Sequence, residues 1–218
     1  MITQKIGNDT LCFFADTQKE LSITFFRIQE YYESRKVELF RKNFDFFTFL
    51  DVQMDKKGEI DYFSTWDGFN IPSHIFKKWF NSTSKSKRSK YEEALIDEIY
   101  KNIDTTKPFY IIGVRKNAKD VLLHELSHAL YYLNKDFKTE ADSLVESFQK
   151  TSPRQYKKFA NELRKLGYSD EVLQDEIIAW LATTRKSEFE NSFTTKYAEI
   201  EKTIKLFRGL LRKHNKHV

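Results

Sequence analysis

Residues 121–133 read VLLHELSHALYYL, and the fold turns on whether this is an ordinary buried helix or the floor of a metal site. Wound at about 100° per residue, Leu122, Leu126, Ala129, Leu130 and Leu133 fall on one side, which accounts for helix formation without the histidines. His124 and His128 project together from the opposite side, one turn apart. At that spacing both imidazoles can reach one tetrahedral ion at nitrogen–metal distances of about 2.0–2.1 Å. Glu125 lies about 100° round from His124, too far for easy ligation but within reach of a water on that ion. His-Glu-x-x-His on a helix is the pattern in which two histidines hold zinc and the glutamate serves as general base.

A catalytic zinc takes a third protein ligand and keeps one position open. The tail histidines His214 and His217 are far downstream, and His74 lies in a loop-rich stretch, so a carboxylate is the better candidate. In LQDEIIAWLATT, 173–184, Glu176 is surrounded by Leu173, Ile177, Ile178, Trp180 and Leu181, where an ionised carboxylate has to be paired or bound to a metal. Ala179 and Thr183 share its stripe and are small enough for another helix to approach closely. Glu140, at the edge of the Phe137, Ala141, Leu144 and Phe148 stripe, is the alternative. Asp142 and Asp175 could accept the remaining ring N–H of a ligating histidine.

Outward from the motif, everything after about residue 118 reads as helix, over 118–133, 137–150, 153–166, 169–185 and 193–213. Upstream, KPFYIIGV, 107–114, reads as a strand opened by Pro108. YEEALIDEIYKNI reads as a helix, and NSTSKSKRSK, 81–90, with no apolar residue, as a flexible basic loop. Residues 17–43 carry the spacing of one amphipathic helix. FDFFTFLDVQM, 44–54, then DKKG, then EIDYFSTW read as a β-hairpin. The stretch 66–80 reads as loop followed by a short helix. The fold class expected is α+β, a small sheet followed by a helical C-terminal half. Three regions are expected: 1–80 of unassigned role, the basic loop 81–92, and a metal-binding core over 93–218.

Composition supports one or two packed domains. The 218 residues are 40 % hydrophobic with 20 Phe, 11 Tyr and 3 Trp, and only 6 Gly and 3 Pro interrupt regular elements. Cys12 is the one cysteine, which rules out an intrachain disulfide and fits a reducing compartment. The opening MITQKIGNDTLCFF lacks the features of a secretory signal, and no stretch has the roughly 18 apolar residues of a membrane span, so a cytoplasmic location is expected. A net charge of +5, concentrated in SKSKRSK, 84–90, and the tail KLFRGLLRKHNKHV, 205–218, does not by itself argue for a nucleic-acid partner.

The helix with His124, Glu125 and His128, the preceding strand and the later helix with Glu176 together resemble the gluzincin zinc metallopeptidases in their compact minigluzincin form. The resemblance covers roughly residues 107–185. It implies one zinc per chain on His124, His128 and Glu176, with Glu125 as general base in peptide hydrolysis. It further implies a sheet whose edge strand, here Phe109–Val114, lies over the active-site helix. That strand would bind an extended peptide through backbone at positions such as Ile111 and Gly113. The family pattern Asn-Glu-x-x-x-Asp stands here as Asp175-Glu176-Ile-Ile-Ala-Trp180, without the trailing acid. An oxyanion donor is sought among Tyr132, on the histidine face, Tyr131 and Tyr168. A peptide or protein is the expected partner. Two other readings share these residues: an inactive zincin-like module that binds nucleic acid or protein, and a protease restricted to one protein target, such as a toxin or effector.

Overall fold

The computed structural model describes residues 1–215, and within them the chain has an α+β fold that divides into two compact units, Met1–Leu122 and the remainder from Leu123. The first unit holds a four-stranded mixed sheet in the order β1-β2-β4-β3. β1 (Ile2–Ile6) and β2 (Thr10–Ala15) form an antiparallel pair, closed by a turn in which Gly7 has φ 64°. That left-handed value carries a steric penalty for residues with a Cβ. β2 runs parallel to β4 (Tyr110–Arg115), and β3 (Gly68–Pro72) runs antiparallel to β4 on its other side. Between β2 and β4 come α1 (Gln18–Glu33), α2 (Phe46–Gln53), α3 (Tyr62–Thr65), α4 (Ser73–Ser82) and α5 (Lys90–Asn102). Phe13, Phe25, Phe69, Phe76, Trp79 and Phe109 centre the core, and a smaller cluster gathers Phe26, Phe44, Phe49 and Tyr62.

This topology corrects the substrate-binding expectation. β4 is an inner strand, bonded to β2 on one side and β3 on the other, so it has no free edge to which a peptide could add. Ile111 is fully buried, and Gly113 lies under the ring of Phe25, which a Cβ there would meet at 2.6 Å. Both residues belong to the sheet's packing rather than to a groove.

Other elements of the first half also differ from expectation. The hairpin over 44–66 is instead α2 and α3. Asp45 caps α2 by accepting from Thr48 N at 2.8 Å, and the i, i+3 pair Phe46 and Phe49 meets Phe26, overriding the β preference of the aromatic run. The turn at DKKG does form, with Asp55 accepting from Lys57 N and Glu59 N, but it joins two helices. The single helix over 17–43 ends at Glu33, and Arg41 sits in tight turns at φ 56°. Within the stretch expected as loop, Gly68–Pro72 is β3, and Pro72 is tolerated at the end of an outer strand. The basic loop is pinned: Arg27 donates to Lys87 O at 2.7 Å, and Arg88 donates to Phe80 O and Thr83 O.

The second half is helical as expected, but the helix expected over 169–185 spans only Leu173–Thr183, and a further short helix, Lys186–Ser192, lies outside the expected pattern. α6 (Lys119–Leu133) leads into the second unit, followed by α7 (Lys135–Thr151), α8 (Pro153–Leu166), α9 (Leu173–Thr183), α10 (Lys186–Ser192) and α11 (Tyr197–His214). Gly167 closes α8 at φ 99° in the left-handed cap conformation that a glycine satisfies with least strain. Phe137, Phe148, Phe159, Leu163, Ile177 and Phe207 centre one continuous core. Among the described residues no helix is long and apolar enough to cross a membrane.

Candidate metal centre

The apolar stripe of α6 explains only part of its burial. Leu126 and Ala129 are buried, but so are Glu125 at 6 % exposure and His128 at 2 %. The polar face is covered because Glu176 of α9, itself 5 % exposed, meets the two imidazoles. Small residues at Ala179 and Thr183 continue the same α9 stripe one and two turns on, as close helix approach requires.

Three ligand-type side chains converge. His124 Nε2 and His128 Nε2 are 3.3 Å apart, His128 Nε2 lies 3.6 Å from Glu176 Oε1, and His124 Nε2 lies 3.8 Å from Glu176 Oε2. A tetrahedron with ligand bonds of about 2.0–2.2 Å has edges of roughly 3.3–3.6 Å. The three distances are of that order, reaching Glu176 through Oε1 from His128 and through Oε2 from His124, and one ligand atom from each residue lies within 4.8 Å of the others. His124, His128 and Glu176 could therefore hold a metal ion.

The surrounding hydrogen bonds fix which nitrogens carry lone pairs. The His128 Nδ1–H donates to Asp175 Oδ2 at 2.9 Å. The Thr183 hydroxyl donates its proton to Ala179 O at 2.7 Å, so its oxygen accepts from His124 Nδ1–H at 3.3 Å. Both Nδ1 atoms are then donors, and both Nε2 atoms present lone pairs to each other, an assignment that follows from the network. On that assignment the two Nε2 atoms, 3.3 Å apart, are placed to share a cation, whether a proton or a metal. Glu176 Oε2 is buried without a conventional hydrogen-bond partner, which is the expected condition of an oxygen suited to a cation.

The electrostatics agree. Burial by itself lowers the His128 pKa, yet Asp175 and Glu176, with Glu125 nearby, carry it well above the ordinary histidine value. Burial raises Glu176, but His128 and His124 outweigh it, and the Tyr168 hydroxyl adds a bond, so the carboxyl titrates below its ordinary value. Burial raises Asp175 against the opposing pull of His128. The carboxylates of Asp175, Glu176 and Glu125 all act on His128 so as to favour positive charge at this cluster.

The other candidates fall in different places. Glu140 is held by Lys213 at 2.7 Å and His214 at 3.0 Å on the surface, away from the cluster's ligand set. Tyr131 bonds Asp142 at 2.7 Å and Lys138, an arrangement that also occupies Asp142. Tyr132 is 36 % exposed, one turn beyond His128. Tyr168 is the tyrosine whose hydroxyl bonds a ligand carboxylate. Thr183 acquires a role that the sequence suggested only as small size, since nothing in a helix pattern marks a threonine for an imidazole on another helix. His217 lies outside the described residues.

An α+β chain with a His, His, Glu centre built from two helices is what fold and site define. Comparison with protein-family models, curated proteins and solved structures gives no match to this chain.

Proposed function

We propose that the centre binds one zinc ion through His124, His128 and Glu176 and that the protein is a zinc-dependent peptidase. The observation that carries this reading is the convergence of His124, His128 and Glu176, one ligand atom of each within 4.8 Å of the others, with the buried Glu125 on the same helix turn. When bound, zinc supplies a Lewis acid for a carbonyl and a water acidified toward neutrality. Glu125 accepts a proton from the attacking water and delivers it to the leaving amine, so that the peptide C–N bond breaks as the carbonyl carbon gains the hydroxyl. Asp175 and Thr183 hold His128 and His124 with their Nε2 lone pairs turned inward. Tyr168 is a positioning residue for Glu176, and Tyr132 stands on an accessible face of α6, where a phenol could assist a developing oxyanion.

The test is metal content and hydrolysis measured together. Purified protein is expected to carry close to one zinc per chain and to cleave members of a mixed peptide library. Glu125→Gln is expected to keep zinc and lose cleavage by at least about a hundredfold. Tyr168→Phe and Tyr132→Phe are compared in the same assay, and the oxyanion donor is the one whose loss lowers kcat at unchanged zinc content. Folded protein that takes up no zinc at micromolar concentration overturns the proposal.

A further inference from the structure

We infer that a pocket beside the metal centre, wholly within the second unit, takes a carboxylate carried on a short apolar stem and so selects acidic substrates. The inference rests on the peptidase reading above. The pocket has a volume of about 390 Å³, with Leu123, Ala182 and Leu211 as apolar walls and Thr183, Arg208 and Arg212 as polar ones. That volume is at the lower end for small-ligand sites.

Its link to the centre is Thr183, which lines the pocket and also accepts from His124 Nδ1 at 3.3 Å. One side chain thus separates the pocket from a ligand. An extended peptide advances about 3.3–3.6 Å per residue. That advance is the same length scale as the 3.3 Å from Thr183 to His124 Nδ1.

The charge is what gives the pocket its class. Arg208 and Arg212 are one turn apart on α11, a spacing at which like charges repel. Neither forms an ion pair with a carboxylate among the described residues. Arg208 is oriented by donating from Nη1 to the Tyr197 hydroxyl at 3.2 Å and from Nη2 to Thr184 O. Arg212 donates from Nε to Arg208 O at 3.2 Å, and its two terminal nitrogens keep their donors available. A guanidinium so disposed matches the two oxygens of a carboxylate. The apolar walls suit the methylenes that carry a carboxylate and offer little to a bare inorganic anion.

The side chain of an acidic residue and a free chain terminus supply the same chemistry, and the experiment separates them. Full-length Glu125→Gln protein, with and without zinc, is titrated calorimetrically with Ala-Ala-Glu-Ala-Ala and Ala-Ala-Gln-Ala-Ala, each as free acid and as C-terminal amide. The expected result is at least tenfold tighter binding of the Glu peptide over the Gln peptide as amides. Tenfold tighter binding of the free acid over the amide, with no Glu preference, assigns the pocket to a chain terminus and also supports it. Either preference is expected to vanish on adding Arg212→Gln, to persist in part with Arg212→Lys, and to be accompanied by methyl shifts at Leu123 and Leu211. Equal binding of all four peptides, or a preference that Arg212→Gln leaves intact, overturns the inference even if zinc-dependent cleavage is present. An Arg212-dependent preference in a protein that neither binds zinc nor cleaves peptides would sink the peptidase reading and leave the carboxylate pocket standing.

Discussion

Asp175 and Thr183 decide the chemistry of the histidines without touching the position between them. Each engages an Nδ1, and that is why both Nε2 atoms face inward. Asp175→Asn is expected to weaken zinc affinity about 10–100-fold, and Thr183→Val by less, as measured by competition with a chromophoric chelator. Glu140→Ala is expected to leave zinc affinity unchanged, because its carboxylate is committed to Lys213 and His214. At this scale much was legible. The i, i+4 histidines and a glutamate among Leu173, Ile177, Ile178 and Leu181 are local patterns. The partner of His124 was not, because a threonine hydroxyl 59 positions away leaves no periodic trace.

Elements were legible where they are long and locally encoded. α6 to α9 and α11 carry apolar residues at helical spacing, and their ends carry caps such as Asn134 and Gly167, whereas α10 has Phe189 as its one apolar residue and leaves no periodic signal. The sheet was harder. β1 is a mostly exposed outer strand with little apolar alternation, and β3 hides behind turn-type residues. Long-range pairing decided both, as it decided that β4 is an inner strand. Two glycines test this scale with opposite signs. Gly113→Ala drives a Cβ to within 2.6 Å of Phe25 and is expected to destabilise by about 1–3 kcal/mol in urea melts. Gly209, inside α11, has nothing within 4 Å of an added Cβ, so Gly209→Ala is expected to stabilise by about 0.5–1 kcal/mol.

For the molecule as a whole, each unit has its own core, and all three ligand residues lie in the second. A ligand that binds only the folded form slows opening where it binds. Hydrogen exchange with and without zinc is therefore expected to show added protection over α6 from Leu123 and over α9. Strands β1 to β4 are expected to keep their rates. Protection spread evenly through the sheet would show the units to be one cooperative whole. This division could not be read from composition, which shifts little along the chain, because a core is defined by who packs with whom.

Cys12 sits in β2, fully buried, and burial pushes its thiol up to about 12 from 9.0. Above pH 9 the unfolded chain loses that proton while the folded one keeps it, so this group costs about 1.4 kcal/mol of stability per pH unit up to about pH 12. Replacement by Ala is expected to flatten that alkaline decline in denaturant titrations. The sole sulfhydryl of the chain is thereby a natural stopwatch for breathing of the strands around it: an aromatic disulfide reagent added at neutral pH turns yellow only as fast as that sheet parts, with no label to install.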